Sequence, residues 1–179
     1  LGFWGEWHTY PRGELFASEP TQHRITRAYL KAFPNKQLMA RYADGVLSQY
    51  HAIGFHDDMF PEDIDNGKDW SFLSRMRRGG HIDSWKLNVV GGEMVPNAAA
   101  KWMGNQWAIT KEMVKRSHFS WVGPYGPALD AKVSVDLAAN SNQLVRKMGY
   151  QFRLTEIRHS KSVFAGDECS VILQGVNEG

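Results

Sequence analysis

The sequence predicts an α/β fold in which part of a (β/α)8 TIM-type barrel is followed by the start of a β-sandwich. Short apolar runs alternate with amphipathic segments through residues 1–149, as in repeated strand–helix units. The pattern changes after Gly149, where apolar and polar residues alternate and no helix separates two apolar runs. We therefore expect a partial barrel at 1–149 and the beginning of a C-terminal β-sandwich domain at 150–179.

Five apolar runs are predicted to be neighbouring parallel strands. They span residues 1–8, 38–42, 53–56, 87–90 and 119–122. Parallel neighbours need crossover connections, so the segments between the runs should form helices outside the sheet. Because eight strands close such a barrel, we expect the other barrel strands upstream of Leu1 in the same full-length chain.

Helices are predicted from capping residues and from apolar spacing between these runs. Ser18 can cap the first helix, which ends before Pro34. A third helix ends at Gly79, and Gly104 interrupts a later one. The remaining helical segments are expected at 46–50, 97–115 and 140–148.

Composition excludes several classes of function. The net charge of +2 provides no clustered basic surface of the kind that binds nucleic acid. Cys169 is the single cysteine, so an intrachain disulfide and a cysteine-based zinc cluster are excluded. No apolar run approaches the roughly 18 residues that a membrane span needs.

Polar and aromatic side chains gather at the predicted strand ends. In a parallel barrel, functional side chains lie at the carboxyl ends of the strands, where the loops begin. The residues at these ends are Glu6, Trp7, His8, Arg41, His56, Asp57, Asp58, Glu93, His118 and Trp121. Because most of the strand ends carry an acidic residue or a histidine, the sequence predicts a functional site at this edge of the barrel.

Glu6 and Glu93 are the predicted catalytic pair. Glu6 lies among aromatic residues that would desolvate it, raise its pKa and let it act as a general acid. Glu93 follows two glycines, which allow a ligand to approach the backbone closely. A carboxylate there could attack an anomeric carbon or stabilise an oxocarbenium-like centre.

The other residues at this edge are predicted to bind substrate. Trp7 and Trp121 could stack on sugar faces, and the polar side chains of His8, Arg41, His56, Asp57 and Asp58 could bind sugar hydroxyls. A metal site made from the histidines and aspartates is the alternative. Their spacing matches no ligand motif, and adjacent residues on a strand point to opposite faces. We therefore expect neither a metal nor a cofactor.

Four motifs resemble an uncharacterised bacterial family, a domain of unknown function with a glycoside-hydrolase-like barrel and a trailing β-sandwich. They are Gly-Phe-Trp-Gly-Glu-Trp-His at 2–8, Ile-Gly-Phe-His-Asp-Asp at 53–58, Gly-Gly-Glu at 91–93 and His-Phe-Ser-Trp at 118–121. The segment at 149–154 is similar to the family's entry into its sandwich. The resemblance implies a secreted protein, extracellular or periplasmic.

The wider resemblance is to clan A retaining glycosidases. It implies an acid/base glutamate after barrel strand four and a nucleophile after strand seven. If Glu6 ends strand four, Glu93 ends strand seven, and the chain supplies strands four to eight. Gly5 departs from the pattern, because clan A has an asparagine there that binds the sugar 2-hydroxyl.

The expected function is therefore hydrolysis of glycosidic bonds in a poly- or oligosaccharide, with retention of configuration. Glu6 would be the acid/base and Glu93 the nucleophile. Two alternatives stay open: a non-catalytic carbohydrate-binding barrel, and a polysaccharide lyase or metal-dependent hydrolase that uses His8, His56 and Asp58.

Overall fold

A computed structural model describes residues 18–95, 97–123, 134–149 and 152–177. These residues contain five α-helices, two short 3-10 helices and five strands in two small sheets. In chain order they are α1 Glu19–Ala32, β1 Leu38–Ala40, the 3-10 helix Gly45–Gln49, β2 Ile53–Phe60, α2 Phe72–Arg78, the 3-10 helix Ser84–Lys86, β3 Val90–Met94, α3 Ala99–Met103, α4 Trp107–Ser117, α5 Val135–Lys147, β4 Phe152–His159 and β5 Val171–Asn177. The strand predicted at 1–8 lies outside the described residues.

The first sheet is parallel, with β2 between β1 and β3. Ala40 pairs with Phe55, and Phe55 pairs in turn with Val90, so the three strands point the same way and end at the same edge. The ladder between β2 and β3 becomes irregular after Asp57. Parallel order confirms the prediction for the runs at 38–42 and 53–56, whereas the third strand lies at Val90–Met94 and overlaps the run predicted at 87–90 only at Val90.

One face of this sheet carries the hydrophobic core. Phe55 and Val90 are buried on it, together with Phe60 and Met94 farther along the strands. Phe119 packs at 5.2 Å from the Phe60 ring and edge-on to Phe72 of α2, at 5.5 Å. Aromatic burial of this kind is a large apolar contribution to the stability of a small sheet.

The predicted barrel portion, strands four to eight of a (β/α)8 barrel, is wrong. In the described residues the parallel sheet has three strands, and β1 has a neighbour on one side alone. The run at 119–122 contributes a single bridge, between Gly92 and Val122. Apolar alternation locates strands well, but it cannot show whether a sheet closes, because closure depends on pairing between distant segments.

The second sheet is a hairpin of antiparallel strands, β4 and β5. Its alternating pattern was predicted as the start of a β-sandwich. Among the described residues no second sheet covers it, and large apolar side chains on both strands are exposed, Phe152 at 75% among them. The prediction of strands is confirmed, and a sandwich is not seen.

The helices agree with the sequence in position more than in extent. Ser18 occupies the N-cap position of α1 as expected, although its side chain makes no capping hydrogen bond, and Pro20 lies in the first turn. The helix predicted at 140–148 begins earlier, at Val135, where Ser134 accepts a hydrogen bond from the Leu137 N–H. No helix within the described ranges has both the length and the apolar composition to cross a membrane.

Candidate functional site

The candidate site lies at the carboxyl edge of the parallel sheet. Arg41 directly follows β1, His56 to Asp58 lie in β2, and Glu93 lies in β3. Trp121 reaches the same edge from the segment that bridges to Gly92. Crossover geometry explains this gathering, because parallel strands bring their carboxyl ends together.

The pleat divides the site residues between the two faces of the sheet. His56 pairs with Gly91, and residues two apart on a strand share a face, so His56 and Glu93 lie on one side. Asp57 pairs with Gly92 on the opposite, core-bearing side and is fully buried. We call the side with His56 and Glu93 the open face.

Trp121 covers the open face at Gly91. A methyl group placed on Gly91 would lie 2.2 Å from Trp121 Nε1, so the indole occupies the space where a side chain would otherwise stand. On the core side, a methyl group placed on Gly92 would lie 2.6 Å from Phe119 Cε2. Two adjacent glycines therefore allow two aromatic rings to contact one strand from opposite sides.

Three polar groups of the open face lack hydrogen-bond partners among the described residues. Trp121 Nε1 is buried and donates to none of them. The side chains of Glu93 and His56 are half-buried, and neither makes a hydrogen bond or ion pair within the described part of the chain. Unsatisfied polar groups are uncommon in folded proteins. The half-buried side chains of Glu93 and His56 leave polar atoms that a ligand can contact, whereas Trp121 Nε1 is enclosed against Gly91.

Arg41 binds three carboxylates beneath this surface. Its Nε lies 2.5 Å from Asp58, and its Nη2 lies 2.9 Å from Asp57 and 3.0 Å from Asp63. The Arg41 side chain is 11% exposed and Asp57 has no exposure, so these are interior ion pairs. We call Arg41, Asp57, Asp58 and Asp63 the Arg41 cluster.

Burial and neighbouring charges shift the pKa values of Asp57 and Arg41 within the cluster. It raises the pKa of Asp57 well above its ordinary value; Arg41 opposes this rise, while Asp63 and Asp58 add to it. Burial alone would lower the pKa of Arg41, but the three carboxylates together raise it. One guanidinium thus faces three carboxyl groups, and the raised pKa of Asp57 favours the protonated form, which carries no negative charge.

A pH series should show this proton. The folded state raises the pKa of Asp57, so the stability contributed by its protonation is complete below the unfolded value of about 3.9 and is lost as pH rises through the folded value. We expect wild type to lose stability relative to Asp57→Asn between pH 4 and 8, measured by urea unfolding. Asp69→Asn, at an exposed position, is the control and should follow wild type. A constant difference between wild type and Asp57→Asn over this range contradicts the protonation of Asp57.

His56 is a neutral imidazole at pH 7. Burial lowers its pKa first, and the charge of Arg41 lowers it further, with Asp58 opposing both. A neutral ring has one donor and one acceptor nitrogen, so it can bind a hydroxyl group in either sense.

The structure brings together some of the predicted site residues and not others. His56, Asp58, Glu93 and Trp121 share the carboxyl edge with Arg41, whereas Asp57 lies on the core side. His118, also predicted at this edge, lies at the opposite end of the sheet, where it stacks on Trp85. Glu6, Trp7 and His8 lie outside the described residues, so the distance between the Glu6 and Glu93 carboxyl groups stays a prediction. Asp63 was missed, because nothing distinguishes it from its acidic loop neighbours Glu62 and Asp65 in the sequence.

Gly91→Ala tests the contact with Trp121. We expect it to lower the free energy of unfolding by about 1–3 kcal/mol, because the new methyl group displaces the indole. The same change in a Trp121→Ala background should cost far less, since the obstructing ring is absent. Urea unfolding of the four proteins measures the coupling. Equal costs in both backgrounds would show that the indole does not occupy this space.

Among the described residues, no three His, Cys, Asp or Glu side chains are placed to hold a metal ion together. Comparison of the chain with protein-family models, with curated proteins and with solved structures finds no match. The site is therefore defined by its geometry: a carboxylate, a neutral imidazole and an indole N–H at one edge of a parallel sheet.

Proposed function

We propose that the chain hydrolyses glycosidic bonds and that Glu93 is its reacting carboxylate. The supporting observation is that Glu93, His56 and Trp121 share the open face without protein partners among the described residues. A carboxylate that is neither ion-paired nor hydrogen-bonded remains available as a nucleophile toward an anomeric carbon.

The neighbouring groups suit a sugar substrate. The half-buried His56 can bind a hydroxyl group, and the face of an indole such as that of Trp121 can stack on the apolar side of a sugar ring. Glu6 is proposed as the acid/base partner on the strength of its aromatic surroundings in the sequence. Retention of configuration remains part of the proposal, although it can no longer rest on counting barrel strands.

Arg41 and its carboxylates would hold the edge rigid beneath the substrate. Asp58 lies two residues after His56 and binds Arg41 Nε, so the cluster fixes the end of β2 on which His56 stands. Preorganised supports of this type limit the movement of residues that contact the reacting atoms.

The test is a screen of chromogenic aryl glycosides and polysaccharides, with Glu93→Gln as the matched variant. Turnover by wild type that Glu93→Gln abolishes supports the proposal. A protein that binds oligosaccharide but turns over none of the panel would replace it with the second candidate, a non-catalytic carbohydrate-binding protein. The polar side chains of the open face, which lack hydrogen-bond partners among the described residues, favour that candidate equally. They indicate a bound ligand but not a reaction.

A further inference from the structure

A second cleft lies at the opposite end of the parallel sheet. It has a volume of about 1030 Å³ and runs between α4, the end of α5 and the 3-10 helix at Ser84–Lys86. Gln37, Val89 and Ser120 line it just before β1, β3 and the bridge at Val122, so it opens at the amino ends of the strands. Val90 and Glu93 are three residues apart along β3, which separates the two ends by roughly 10 Å.

The cleft is strongly basic. Among the described residues that line it are five cations and one carboxylate, Glu112, an excess of four positive charges and twice the net +2 of the entire chain. The cations are Lys86, Lys111, Lys115, Arg146 and Lys147. We call this surface the basic cleft.

These cations differ from the other basic group of the chain. Arg75 and Arg78 pair with Asp44, and Arg77 pairs with Asp65, so each arginine of the run at 75–78 has a carboxylate partner. In the basic cleft Lys86 pairs with Asp83, whereas the other four cations make no ion pair with a carboxylate of the described residues. Like charges left together repel one another, and a bound anion relieves that repulsion.

The arrangement favours an extended anion over a small one. Lys111 and Lys115 are one turn apart on α4, about 6 Å along its axis. Arg146 and Lys147 come from the last turn of α5, and Lys86 comes from a third element. A polymer with several charges can contact cations from all three elements at once. A wall of the cleft is aromatic, because Trp85 stacks on His118 at 4.0 Å and remains 37% exposed.

We propose that the basic cleft binds an acidic polysaccharide, a sugar chain that carries carboxylate or sulfate groups. The cations would pair with its charges, and the partly exposed Trp85 would pack against a sugar ring. That the anion is a sugar rests on the proposed function, whereas the preference for a multivalent anion rests on the cleft itself. The cleft would hold the polymer while the open face acts on another part of it.

The test measures binding of the full chain to four polymers by affinity electrophoresis at 50 mM salt. Polygalacturonate supplies carboxylates, dextran sulfate supplies sulfates, and neutral dextran and a single-stranded oligonucleotide are the comparisons. Lys115→Glu/Arg146→Glu should weaken binding to the acidic polysaccharides at least about 10-fold. Lys68→Glu/Lys161→Glu changes the net charge equally at exposed positions outside the cleft and should stay within about 2-fold of wild type.

Each outcome decides a separate point. Stronger binding to polygalacturonate or to dextran sulfate identifies the charged group. Equal weakening by both double variants overturns the basic cleft as the site, and preferred binding to the oligonucleotide overturns the sugar assignment. Glu93→Gln is assayed separately on a neutral aryl glycoside. If Glu93→Gln keeps wild-type turnover, the glycosidase proposal fails and the polymer-binding result is unaffected. If the polymers do not bind as expected, the turnover result is likewise unaffected.

Discussion

Replacing Glu93 by alanine is expected to lower the hydrolysis of an activated aryl glycoside by about 10⁴- to 10⁶-fold, the loss seen when a catalytic nucleophile is removed. The physical reason is that, among the described residues, no second carboxylate of the site could replace it: Asp58 binds Arg41, and Asp57 is buried on the core side. Initial rates with a substrate that wild type cleaves provide the measurement.

External azide sharpens this experiment. In Glu93→Ala the missing carboxylate leaves space beside the anomeric carbon, and azide can enter it as a substitute nucleophile. Partial recovery of turnover, with a glycosyl azide as product, is expected for a nucleophile and not for a residue that merely binds substrate. Glu62→Ala, at an exposed position in the loop after β2, is the matched control and should keep wild-type rates. Full activity of Glu93→Ala would contradict the assignment.

Arg41→Met is expected to lower the free energy of unfolding by about 3–5 kcal/mol at pH 7, because it leaves interior carboxylates without their cation. Methionine keeps much of the apolar stem, so the loss reports the charge more than the packing. The penalty should shrink as the pH falls, since protonated carboxyl groups no longer need a cation. Urea unfolding between pH 4 and 8 measures both effects.

Two further variants separate charge from general damage. Arg78→Met removes an ion pair to Asp44 whose arginine side chain is 48% exposed, and it should cost about 0–1 kcal/mol. Adding Asp57→Asn to Arg41→Met should recover part of the lost stability, because one interior carboxylate is removed. If Arg41→Met cost no more than Arg78→Met, the Arg41 cluster would not be an interior electrostatic unit.

Local patterns in the sequence predicted local structure. Ser18 and Pro20 start α1 where expected, and Gly104 separates α3 from α4. The strand predicted at 87–90 was displaced, because β3 begins at Val90 and contains Gly91, Gly92 and Glu93. Small residues were interpreted as a strand end, whereas facing aromatic rings make them suitable for the strand interior.

Long-range features could not be predicted in this way. Sheet closure depends on which segments pair, and the alternation of strands and helices is the same in open and closed sheets. The side-chain directions of His56 and Glu93 follow from register, which no single run specifies. The basic cleft was also missed, since its cations are dispersed along the chain and a net charge of +2 conceals them.

The paired glycines of β3 have an evolutionary consequence. The Trp121 ring fills the space that a side chain at position 91 would need, and the Phe119 ring does the same at position 92. A larger residue at either glycine would therefore collide with the ring that faces it. Homologues should therefore change positions 91 and 121 together, with a larger residue at 91 matched by a smaller one at 121, whereas 92 should stay glycine because the Asp57 backbone carbonyl also lies 2.7 Å from the added methyl group. Co-variation at 91 and 121 would trace inheritance of the open face, whereas a constant glycine at 92 would trace only the core.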